Sequence, residues 1–99
     1  MDKALFIAAP DSAEVFMLLD NPVRIVHKPE EAEEIFTRGI REGYNIIFIT
    51  ENEAAVIQRQ IVAAQQETQT IVIVIPGMGP SQDVGMRQLK ALRKSVMGM

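Results

Sequence analysis

Thr50 and Glu51 are the residues whose types and places come nearest to chemistry. They close the apolar run Ile46–Ile49 and open the polar stretch ENEAA. If that run is a strand of a parallel sheet, they stand at its carboxyl end, where α/β proteins hold ligands. Phosphoryl transfer there requires an acceptor carboxylate, an acidic pair after the first strand to hold a divalent cation, and a lysine after the last strand. The chain offers Thr50 and Glu51 where the acceptor aspartate would stand. It has one carboxylate, Asp11, after Ala8-Ala9-Pro10, and Pro76-Gly77 where the lysine would be. The cation would meet one carboxylate and the phosphate no lysine.

The remaining chemical residues are scattered. The loop PGMGP, residues 76–80, has glycines but runs into Pro80, which lacks the N–H that a phosphate cradle uses. Neither GxGxxG nor GxxxxGK[ST] occurs. His27 is the one histidine and there is no cysteine, which excludes thiolate catalysis, disulfides and multi-histidine or cysteine metal sites. His27 has no nucleophile near it in the sequence to activate. Ser12, Ser81 and Ser95 have no recognisable partner. The sequence thus assigns no catalytic residue, no metal ligand and no cofactor site.

Four short apolar runs must position these residues: Ala4–Ala8, Val23–Val26, Ile46–Ile49 and Ile71–Ile75. The third and fourth are apolar throughout, which predicts strands covered on both faces of a parallel sheet. Arg24 interrupts the second run and places it at a sheet edge. Between the runs lie helical patterns. DSAEVFMLLDN predicts a helix of about two turns, capped by Asp11 or Ser12 and stopped at Asn21-Pro22. KPEEAEEIFTRGIREG starts at Pro29, buries Ala32, Ile35, Phe36 and Ile40, and closes at Gly43. Gly39 inside it implies close packing, since glycine there costs about 1 kcal/mol relative to alanine. ENEAAVIQRQIVAAQQETQ predicts one long helix from Asn52, with Ala54, Ile57, Ile61 and Ala64 on its core stripe. Residues 84–99 predict a basic amphipathic helix. The expected fold is α/β: one domain over residues 1–99, a small four-stranded parallel sheet in βαβαβαβα order, and helices on both faces in three layers, of the flavodoxin or receiver kind.

Composition narrows the partners. The 99 residues are 47% hydrophobic and 23% charged, in the range of a globular domain. The N-terminus MDKALFIAAP lacks the basic region of a signal peptide, and no apolar stretch approaches a membrane span, so a cytoplasmic protein without membrane insertion is expected. The net charge of −3 is uneven. Residues 84–99 carry Arg87, Lys90, Arg93 and Lys94 with no acid, giving +4 and leaving −7 on residues 1–83. A single basic stripe on an acidic body fits docking against an acidic protein surface, or a solvated helix face whose cations offset the dipole at its C-terminus, and not nucleic acid.

With these elements in order, the chain resembles the F subunits of the V-type and A-type rotary ATPases, also called ATP synthases. The resemblance rests on AEVFMLLD after the first strand, IIFITE at the third, IVIVIPG at the fourth and the ending LKALRKSVMGM. Phe16 and Leu18 fall on that family's phenylalanine and leucine, while Val15 and Asp20 replace its two glycines. The resemblance implies a non-catalytic rotor part of the central stalk, peripheral to the membrane on its cytoplasmic side. It would bind the coiled-coil shaft subunit, D-like, and other central-stalk subunits. Phe16, Met17 and Leu19 are candidate contacts, since two helical turns cannot bury all of VFMLL. Arg87, Lys90 and Lys94 form the candidate basic stripe. The other reading of the residues is a small receiver-like phosphotransfer or ligand-binding regulatory domain using Asp11, Thr50, Glu51 and the loop 76–83.

Overall fold

Parallel pairing of four apolar strands sets the architecture. The structure, a computed structural model, describes residues 2–77, 91 and 93–96. The strands β1 (Ala4–Ala8), β2 (Val23–Ile25), β3 (Ile46–Thr50) and β4 (Ile71–Ile75) form one sheet in the order β2-β1-β3-β4. Every pairing is parallel, with Phe6 opposite Phe48 and Ile46 opposite Ile71. The central strands β1 and β3 are buried at every position, as continuous apolar runs require.

Side chains alternate between two cores. On one face Phe6, Ala8 and Phe48 pack beneath Ala13, Phe16 and Leu19 of the segment after β1. The Phe6 and Phe48 rings stack at 4.6 Å, and Phe16 tilts against Phe6 at 5.2 Å. On the other face Leu5, Ile7, Ile47 and Ile49 pack beneath Ala32, Phe36, Ala54, Ile57, Ile61 and Ala64. Burying each large side chain contributes about 1.5–3 kcal/mol. The three layers are therefore helix, sheet, helix.

Four expectations are revised. Helix α1 (Pro10–Phe16) starts at Pro10 after Ala9, so neither Asp11 nor Ser12 is its cap. Proline fits the first helical position because its missing N–H would have no intrahelical partner there. A 3-10 turn, Met17–Leu19, continues α1 and ends at Asp20 in the left-handed conformation (φ 58°). The third helix is two: α3 (Glu51–Val56) and α4 (Gln58–Glu67), broken at Ile57, and α3 begins after Thr50 and not at Asn52. The strand β4, expected to be covered on both faces, leaves Ile71 50% and Val74 52% exposed.

Helix α2 (Ala32–Arg41) follows a 3-10 turn over Pro29–Glu31. Glu31 Oε1 accepts the backbone N–H of His27 and of Lys28 at 3.0 and 3.1 Å, tying the end of β2 to the helix start. At its other end Gly43 takes φ +95°, which a glycine adopts freely. Gly39 packs so close to the sheet that a β-carbon would lie 2.8 Å from Leu5 Cδ2. Arg24 of β2, the edge strand expected from its charge, pairs with Glu42 at 2.6 Å.

Candidate functional site

The carboxyl ends of β1 and β3 are the natural place to look first. The chain leaves β1 toward one face and β3 toward the other, which makes this the switch point of the sheet. Thr50 is buried at 2% exposure, and its hydroxyl donates to Glu53 Oε1. Thr50 thus helps fix the first turn of α3. Ser12 is buried, and Gly77 after β4 approaches it, an added β-carbon standing 3.6 Å from Ser12 Oγ. Asp11 and Glu51 are exposed. Among the described residues no three His, Asp or Glu side chains converge as a metal site would require. His27 borders an open groove of about 430 Å3 with Glu30, Glu31, Glu34 and Arg38, beside Ile25 at the carboxyl end of the edge strand β2. Its backbone N–H is what Glu31 engages.

The second place to look is the surface around α1. The helix phase resolves the run VFMLL. Ala13, Phe16 and Leu19 recur at helical spacing and point into the sheet. Met17 and Leu18 fall on the outer side, 53% and 74% exposed. Phe16 and Leu19 are fully or nearly fully buried, at 0% and 4%. They are core residues that hold the segment down, and the apolar surface above them is Met17 with Leu18. Leu18 is absent from the contact set expected from the sequence, because the phase of so short a helix is settled only once its start at Pro10 is known.

The basic stripe is partly in view. Residues 93–96 are helical, and Lys94 is exposed. Val96 packs against the same core cluster as α1, so Lys94 belongs to an element on the Met17 face of the sheet. Arg87 and Lys90, and most of the expected helix over 84–99, lie outside the described residues.

Two electrostatic ties stand out. Glu31 is held below the ordinary carboxylate range by the backbone N–H of Lys28 and then that of His27. Glu42 is lowered by its hydrogen bond from Arg24, whose guanidinium is correspondingly raised. Both are exposed ties between elements, and Glu31 borders the same open groove as His27.

Comparison with known proteins bears on the chain as a whole. Residues 5–92 match the family described as ATP synthase (F/14-kDa) subunit. The chain belongs to this family. It is also similar to the F subunit of a V-type ATP synthase from Fusobacterium nucleatum subsp. nucleatum, 32% identical over 97 residues. That alignment covers 97% of this chain and 92% of the relative. The family match takes in β2 to β4, α1 to α4 and all of β1 but Ala4, so the ATP synthase (F/14-kDa) assignment concerns all four strands and not one motif. Among the described residues no helix is long and apolar enough to cross a membrane.

Proposed function

We propose that the chain is a non-catalytic central-stalk subunit of a V/A-type ATPase. It binds the coiled-coil shaft subunit, D-like, and helps couple ATP hydrolysis or synthesis to proton or sodium movement. It works at the cytoplasmic side of the membrane, peripheral to it, with no cofactor of its own. The observation that carries this reading is the family match over residues 5–92. A close-packed parallel sheet suits a part that transmits force, because such an interior deforms little. The contact set is the apolar pair Met17 and Leu18 with the basic residues Arg87, Lys90 and Lys94. Phe16 and Leu19 support it from beneath.

The test is binding of the shaft subunit to the purified chain. Reversing two charges, Arg87→Glu with Lys90→Glu, weakens binding about tenfold, the equivalent of about 1.4 kcal/mol. The thermal midpoint of the free chain, measured beside it, stays within about 2 °C, which separates a lost contact from a lost fold. Unchanged affinity at low salt removes the basic stripe from the interface.

A further inference from the structure

The helical layer that covers β1 and β3 reaches β4 but covers it only in part. Val72 is only partly covered and Val74, on the same face, is 52% exposed. Across from it Val62 of α4 is 50% exposed. A groove of about 400 Å3 runs between them, bounded by Ala55, Ile61, Val62 and Val74, with Glu51 also lining it. The outer edge of β4 has no strand partner among the described residues. Nothing in IVIVI blunts that edge, neither a lysine nor a proline.

Charge separates this surface from the rest. Residues 54–77 carry two charged side chains, Arg59 and Glu67. Residues 28–42, which include α2, carry eight. Depletion of charge around exposed aliphatic groups is the compositional mark of an interface centre. Glu51 is the charged residue of the groove itself, and among the described residues it forms no ion pair.

We propose that this groove seats an amphipathic helix of a neighbouring subunit. Its apolar stripe lies on Val62 and Val74, and a lysine or arginine of the same helix meets Glu51. The inference rests on the stalk reading above and adds a second contact surface, on the face of the sheet opposite Met17 and Lys94. The occupant is a helix because the vacant position lies beside α4 and above β4. A helix packed 8–10 Å from its neighbour would continue the existing layer. The cation follows from charge complementarity: an acidic or neutral residue there would leave Glu51 desolvated and unpaired.

The test places a photo-crosslinking residue at Val62 of the full chain, expressed in its own host, and purifies the assembled ATPase. A second position, Glu30 on the charged α2 side, serves as the comparison. The expected result is an adduct from position 62 to a peptide of another subunit. That peptide has helical apolar spacing and a basic residue, and position 30 gives no such adduct. Glu51→Lys, with far-UV circular dichroism retained, lowers the adduct yield at least fivefold. An adduct to a second copy of this chain, to its own residues, or to nothing overturns the proposal while leaving the stalk reading in place. A purified ATPase that lacks the chain overturns both.

Discussion

Leu5 and Gly39 define how closely α2 lies on the sheet. Gly39→Ala adds a methyl group that would stand 2.8 Å from Leu5 Cδ2, and Leu5 is fully buried. Overpacking of this kind costs about 1–3 kcal/mol, against a helix gain of about 1 kcal/mol. Denaturant titration should therefore show a net loss of about 1 kcal/mol, whereas in a Leu5→Ala background the same change becomes stabilising. Sequence alone marks this glycine, because an internal glycine in a helix invites a packing reason. It does not name Leu5, since residue 5 meets residue 39 only after the chain has crossed the sheet. Glu31 gives a second prediction. Its folded pKa lies below the ordinary value of 4.5. Its contribution is thus complete above that value and fades as pH falls through the depressed one. Thermal melts from pH 6 to 3 should show Glu31→Gln starting less stable than the wild type and losing less on acidification. Equal acid slopes for both would mean that Glu31 does not tie β2 to α2.

The four strands are legible in the sequence because short apolar runs set between helix-patterned stretches have few other uses. The edge position of β2 is legible from Arg24. The exposure of β4 is not: a run apolar throughout reads as central, and the pattern carries no information about which neighbours stop short of it. The break at Ile57 is hidden for a related reason. Ala54, Ile57, Ile61 and Ala64 fit one uninterrupted helix, so the core stripe is the same with or without the interruption. Helix α1 shows what phase decides. Phe16→Ala should lower stability by about 3–5 kcal/mol, as an aromatic removed from a packed core does. Met17→Ala and Leu18→Ser should change it by less than about 0.5 kcal/mol. In shaft binding the order reverses for the surface pair: the double substitution Met17→Ala with Leu18→Ser should weaken it at least fivefold. Calorimetry on the free chain and titration with the shaft subunit measure the two quantities separately.

For the molecule taken entire, function is readable only through resemblance. The strand ends hold Thr50 tied to Glu53, a buried Ser12 and an exposed Asp11, and none of these residue types at these places dictates a reaction. A chain acting as a structural part should gain no stability from acetyl phosphate or nucleotide with magnesium, because only a ligand that prefers the native state raises it. A saturable rise in melting temperature would reopen the switch point as a binding site. Work inside a rotary ATPase is best tested by affinity capture of the tagged chain from its own host, with mass spectrometry of what accompanies it. A central-stalk part should bring down a coiled-coil shaft subunit together with the ATP-hydrolysing head subunits. Capture of neither, from a lysate in which the intact ATPase is independently demonstrated, would contradict that role.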